Sequence, residues 1–144
     1  MKLILLFTIM ICCVTPTLQA SPAGFWSMLR GETSHKVASN ISTLDELKVI
    51  LKFASKFTVV LFRAGSDSDN KDIDSYFYIR CAGNGLKYEI INTDVNTEAA
   101  EEYGILDQAP AIKGLDRTGK VLFSVNGGTK KDVDTAMGQT FRYK

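Results

Sequence analysis

Few residues in this sequence have side chains that could act as nucleophiles, bases or metal ligands. The chain has three cysteines and one histidine, and His35 has no acidic or thiol residue next to it. Cys81 is the thiol that could carry redox chemistry, because Cys12 and Cys13 lie in an N-terminal apolar run that has the pattern of a cleaved signal peptide. Asp67 and Asp69 have the spacing that opens a calcium loop, but the turn glycine and terminal glutamate of such a loop are not at the required positions. We therefore expect no metal, and Cys81 is either a structural residue or a single reactive thiol.

The N-terminus has the pattern of a signal peptide over residues 1–20. Lys2 supplies a basic start, Leu3–Val14 forms an apolar run, and Ala20 is a small residue suited to cleavage. This run is too short to span a bilayer, which takes about 20 residues. We expect no membrane span in the mature chain, and a protein that is secreted or held in the lumen of the secretory pathway. Cleavage would also remove Cys12–Cys13 and leave one thiol.

Length and composition indicate one globular domain after this leader. The 144 residues are 45% hydrophobic and 23% charged, close to the average for soluble proteins. Lys plus Arg number 17 and Asp plus Glu number 16, so the sequence lacks the basic excess of a nucleic-acid-binding protein. Residues 21–36 form an N-terminal extension, either a flexible leader or an apolar segment that docks on this domain or on a partner. Asn40 begins a glycosylation sequon, Asn-Ile-Ser.

Apolar periodicity predicts the elements that position these residues. Thr43–Glu46 is a capping box that opens a helix, and Phe57–Ala64 has the pattern of a strand buried on both faces. A helix over Asp69–Gly83 places Cys81 on its apolar face with Ile73 and Phe77, so we expect a buried thiol. The other predicted elements are an edge strand over Lys36–Ile41, a strand over Tyr88–Val95, a helix over Thr97–Tyr103, a hairpin of Ile112–Leu115 and Val121–Val125, and a helix over Lys130–Met137.

The order β-α-β-α-β-α-β-β-α predicts an α/β fold with a central mixed sheet flanked by helices. Several short sequence segments, which follow one another along the chain, allow a comparison with one known family. They are Val59–Ala64, Asn92–Asn96, Tyr103–Ile105, Ala109–Ala111 and Thr118–Val121. In these segments and their spacing the chain resembles the thioredoxin family. The resemblance implies a thioredoxin fold for a domain over residues 37–144.

The resemblance also implies that the dithiol chemistry of the family is lost. Thioredoxins carry Cys-x-x-Cys at a helix start, where the helix dipole stabilises a thiolate. In this chain Asp67 stands at the nucleophile position, Asn70 at the position of the resolving thiol, and Leu61 at that of the buried proton relay. We expect these polar residues to cap the following helix, and we expect no cofactor. The positions of the former active site are Ser66, Asp67, Ser68, Asp69 and Asn70.

A peptide-binding surface is the other feature that the resemblance implies. In the family, the residue before a cis-proline offers its backbone to an extended peptide. Ala109 and Pro110 match this pair, and Gly127 and Gly128 flank it. The spacing before Pro110 is one residue longer than usual, so the loop of Leu106–Ala109 is predicted to bulge.

Three functions follow from these patterns. The first is a secreted, redox-inactive module that binds a protein or extended peptide, as an accessory subunit of a folding or export complex. The second is a thiol oxidoreductase that uses Cys81 alone. The third is a secreted effector that uses the fold only as a scaffold. The oligomeric state does not follow from the sequence.

Overall fold

The computed structural model describes residues 41–144. The predicted signal peptide, the extension over residues 21–36, the Asn40 sequon and nearly all of the predicted edge strand Lys36–Ile41 lie outside this range. Ile41 itself is described and is not part of a strand. In chain order the elements are α1 (Leu44–Lys52), β1 (Phe57–Arg63), α2 (Lys71–Gly83), β2 (Lys87–Asn92), α3 (Thr97–Glu102), β3 (Ala111–Asp116), β4 (Val121–Asn126) and α4 (Lys130–Thr140).

The described strands form one mixed sheet in the order β2-β1-β3-β4. β1 pairs with β2 in parallel, which needs the α2 crossover between them. β1 pairs with β3, and β3 with β4, in antiparallel fashion. The predicted mixed sheet, with parallel pairing first and a closing antiparallel hairpin, is confirmed for the described elements.

β1 is the centre of the core because every one of its residues is buried. Val60 and Phe62 pack on one face of the sheet with the apolar residues of α1 and α3. Val59 and Leu61 pack on the other face with residues of α2 and α4. The prediction of a strand covered on both faces is therefore confirmed.

Two helices begin at capping boxes. The Thr43 hydroxyl accepts the N–H of Glu46, whose carboxylate accepts the N–H of Thr43 in return, as the sequence predicted. Thr129 and Asp132 form the same reciprocal pair at the start of α4. These contacts satisfy backbone donors that a helix N-terminus leaves unpaired.

The predicted strand Tyr88–Val95 is wrong at its carboxyl end, because β2 ends at Asn92. The Asn92 side chain accepts the N–H of Asp94 at 3.0 Å, and the N–H of Asn96 donates to the Asn92 carbonyl at 2.9 Å. These bonds turn the chain out of the sheet, since short polar side chains compete for backbone donors. Among residues 41–144, no helix has the length and apolar character to cross a membrane.

Candidate functional site

One edge of the sheet collects the loops that carry the predicted site residues. Arg63 pairs with Asn92, Phe62 with Ala111, and Ala111 with Asn126. The carboxyl ends of β1, β2 and β4 and the amino end of β3 therefore lie together. We name this surface the site edge and define it as four segments, residues 63–70, 92–96, 106–110 and 126–129.

The loop after β1 is a turn held by its own polar side chains. The Asn70 amide donates to the carbonyl oxygens of Ala64 at 2.8 Å and Ser66 at 2.9 Å. The Ser66 hydroxyl accepts the N–H of Asp69 at 3.2 Å and donates to its carboxylate at 2.5 Å. The position of the resolving thiol is thus occupied by an amide that fixes the loop.

The expected capping of α2 by residues 67–70 is wrong. α2 begins at Lys71, two residues later than predicted, and Asn70 stands at its N-cap without a side-chain hydrogen bond to the helix. The Asp67 carboxylate is directed at Arg63, whose Nη2 lies 2.5 Å from Oδ1. A guanidinium offers a charged donor, which binds a carboxylate more strongly than a neutral backbone N–H does.

Below this loop lies a buried ion pair between β1 and α2. Arg63 and Asp74 are each 1% exposed. Arg63 Nε lies 3.2 Å from Asp74 Oδ1, Nη2 lies 2.8 Å from Oδ2, and Nη1 donates to the Gly65 carbonyl at 3.1 Å. Burial raises the pKa of Asp74, and the hydrogen bonds and charge of Arg63 oppose that rise. Burial disfavours the charge of Arg63, but its bonds to Asp74 and Asp67 outweigh that effect and raise its pKa.

The loop after β2 is tied to the loop after β1 through Gly65. The Gly65 N–H donates to the Asp94 carboxylate at 2.7 Å. The Asn92 amide donates to the Gly65 carbonyl at 2.8 Å. With the bond from Arg63, two side chains converge on that carbonyl. The two loops therefore form one connected layer of hydrogen bonds at the site edge.

The four residues of the predicted peptide-binding surface lie together. The Ala109–Pro110 peptide bond is cis. The Gly127 N–H donates to the Pro110 carbonyl at 2.9 Å. Gly128 packs so closely on the proline that a Cβ there would lie 2.7 Å from ring carbons. The glycines thus allow the β4–α4 loop to close against Pro110. Residues 106–108 form a turn in which the Gln108 N–H donates to the Ile105 carbonyl at 3.2 Å.

Ala109, next to the cis-proline, has an unpaired backbone within residues 41–144. It is half-buried. Within residues 41–144, neither its N–H nor its C=O takes part in a hydrogen bond. Most backbone groups that are shielded from water have a partner. An unpaired donor and acceptor beside a sheet can be paired by an added strand.

Comparison with solved structures identifies this architecture. The chain is similar to the reduced thioredoxin pre-protein of Schistosoma mansoni (TM-score 0.59, 18% identity, 72% of this chain and 95% of that chain). It is similar to the Fasciola hepatica thioredoxin to the same degree (TM-score 0.59, 18% identity, 72% and 96%). The chain has the thioredoxin fold. A third such structure, the Malassezia sympodialis thioredoxin, gives a TM-score of 0.53 at 23% identity over 69% of this chain and 86% of that one. No protein-family model and no curated protein sequence matches the chain.

The thiol within this thioredoxin fold is remote from the site edge. Cys81 lies in the last turn of α2 and is fully buried with Phe77 in the core. Burial raises the pKa of its thiol to about 12. The prediction of a buried thiol is confirmed. Such a group behaves as a small apolar side chain and not as a nucleophile.

The sequence analysis missed the buried ion pair of this thioredoxin-fold domain. Arg63 ends an apolar strand and Asp74 lies on the helix face that holds Phe77 and Cys81. A charged residue at each of two otherwise buried positions was the available signal, because charges are seldom buried without a partner. Residues 41–144 contain no group of three or more His, Cys, Asp or Glu side chains that could hold a metal ion.

Proposed function

We propose that this chain is a redox-inactive binding module that takes up an extended segment of a protein partner at Ala109. The observation that carries the proposal is the unpaired N–H and C=O of this half-buried residue, beside the amino end of β3. A partner backbone in extended form would pair with both groups, the usual mode of strand addition. Gly127 and Gly128 support this geometry because they hold Pro110 in place without adding side chains to the surface.

The chemistry of the loop after β1 supports a role in binding and not in thiol exchange. Asp67 is occupied by its ion pair with Arg63, and Asn70 by two backbone carbonyls. Neither a carboxylate nor an amide can form a disulfide with a substrate. Cys81 would have to reach a substrate from the core, with a thiol pKa of about 12. An insulin-disulfide reduction assay tests this part, with Cys81→Ser as control. We expect equal rates, and turnover above the control would contradict the proposal.

Binding is tested on the full chain with a fluorescein-labelled peptide that is unstructured and uncharged. We expect a measurable Kd by fluorescence anisotropy. Ala109→Pro, which removes the N–H, should weaken binding, whereas Ala109→Ser should not. The same peptide with N-methylated backbone amides tests the mechanism without changing the protein. Equal affinity of the methylated and unmethylated peptides would refute strand addition.

We place this module in the secretory pathway, as an accessory subunit of a folding or export complex. The support is the signal-peptide pattern of residues 1–20. Expression in a eukaryotic cell should yield protein whose N-terminus is Ser21, and loss of mass on deglycosylation would assign glycan to Asn40. Cytosolic protein that retains its N-terminal segment would contradict this placement.

A further inference from the structure

The charges of this domain are separated between its two ends. The four segments of the site edge carry four carboxylates, and their one cationic side chain, Arg63, is buried. The first turns of α2 and α4 add three lysines and three carboxylates, which leaves the excess of negative charge unchanged. The exposed carboxylates of the site edge are Asp67, Asp69, Asp94 and Asp107.

The other end of the sheet has the reverse composition. The segments 52–57, 83–87, 116–120 and 141–144 together carry seven cationic side chains and one carboxylate. They meet in space, since Arg117 donates to the Lys52 carbonyl at 3.1 Å and Lys144 to that of Asn84 at 3.2 Å. We name this surface the opposite edge. Because residues 41–144 carry 14 basic and 15 acidic residues, this is a separation of charge and not an excess.

Two of these carboxylates belong to the loops that border the unpaired backbone of Ala109. Phe62 pairs with Ala111, so the loop that follows β1 runs beside Ala109. Asp69 is bonded to Ser66 in that loop, and Asp107 precedes Ala109 by two residues. A strand paired with Ala109 would therefore extend its alternate side chains over acidic groups.

We infer that the extended segment bound at the site edge is basic, with lysine or arginine side chains that contact Asp69 and Asp107. This inference rests on the proposed function. The acidic site edge attracts a basic segment before contact and disfavours an acidic one. Val95 and Leu106 are 63% and 50% exposed at the same edge, so they offer apolar contacts for the stems of these long side chains.

Three labelled peptides of equal length test the inference on the full chain. They differ only at alternate positions, which carry lysine, serine or glutamate. We expect the lysine peptide to bind about fivefold more tightly than the serine peptide, since two exposed ion pairs contribute a fraction of a kcal/mol each. This ratio should fall at high salt, which screens exposed charges.

Two charge-matched variants locate the effect. Asp69→Asn with Asp107→Asn should lower the ratio at least about threefold. The control, Asp45→Asn with Glu102→Gln, removes the same charge from α1 and α3 and should retain the ratio. Equal loss in both variants would overturn the inference, because it would assign the preference to net charge.

The remaining outcomes separate the inference from the proposed function. If the serine peptide binds and the lysine peptide binds no better, the inference is wrong and the proposed function stands. If none of the three peptides binds, the proposed function fails. Sedimentation of the protein alone tests whether a second copy of this chain occupies the site edge instead of a peptide. Self-association at low salt that is lost in the Asp69/Asp107 variant would assign the site edge to the opposite edge of a second copy and would overturn the inference.

Discussion

Replacing Asp74 with alanine is expected to lower the free energy of unfolding by about 3 kcal/mol. The substitution removes both hydrogen bonds from Asp74 to Arg63 and leaves a guanidinium that is 1% exposed. Breaking a buried ion pair typically costs about 3–5 kcal/mol. The lower end applies here because Asp67 and the Gly65 carbonyl still accept hydrogen bonds from Arg63. The loss is a large fraction of the stability of a typical domain, about 5–15 kcal/mol.

Urea denaturation measures this loss directly. Asp72→Ala in the same helix is the control, because its exposed carboxylate makes no ion pair within residues 41–144, and it should change stability by no more than about 0.5 kcal/mol. Arg63→Met combined with Asp74→Leu replaces the pair with apolar side chains and should recover stability to within about 1 kcal/mol of the wild type. Equal slopes of the unfolding transitions are required for this comparison.

Two results would refute this reasoning. A loss below about 1 kcal/mol for Asp74→Ala would mean that Arg63 is adequately paired without Asp74. A double variant as unstable as the sum of its single variants would mean that the charges themselves stabilise the fold.

Hydrogen exchange adds a local readout. The double variant should exchange faster in residues 65–70, because Asp67 loses its donor and the Gly65 carbonyl keeps only the bond from Asn92.

Further expectations concern one thiol, two glycines and one carboxylate. Iodoacetamide should not modify Cys81 in the folded protein at neutral pH but should modify it in urea, because burial raises its pKa to about 12; labelling without denaturant would contradict its position in the core. Gly128→Ala should destabilise the fold by about 1–3 kcal/mol through contact with Pro110, whereas Gly138→Ala, which meets nothing within 4 Å, should stabilise it by about 0.5–1 kcal/mol. Bonds from the Thr118 hydroxyl and from backbone N–H groups lower the pKa of Asp116. The stability that this carboxylate contributes is therefore present above the ordinary carboxyl pKa and is lost as pH falls through the lowered value. Asp116→Asn should flatten the loss of Tm in acid, as measured by thermal unfolding over a range of pH.

The sequence predicted most of the fold because local patterns determine it. The β-branched and aromatic run of β1 encodes a buried strand, and the capping box at Thr43 encodes the start of a helix. Prediction failed where polar residues offer the backbone a second set of partners. Asn92–Asn96 is compatible with a strand by composition, and only the bonds to Asn92 show that the chain turns there.

The site was less predictable because its features depend on pairing between distant residues. The pairing of Arg63 with Asp74 requires the position of α2 relative to β1. The unpaired backbone of Ala109 requires the register of β3 and the contact between Pro110 and Gly127. Residue types alone indicated the loops that lie at the site edge, but they predicted a capping role for Asp67, which instead pairs with Arg63.

The separation of charge between the two edges has a consequence at distances beyond contact. A domain such as residues 41–144, with nearly equal numbers of positive and negative groups, has almost no net attraction to a charged surface, but its opposite poles give it a dipole moment. Such a molecule rotates in the field of a charged body before it collides, within a screening distance of about 8 Å at physiological ionic strength. Its isoelectric point is therefore a poor guide to how it behaves near polyelectrolytes, since the two poles respond in opposite directions.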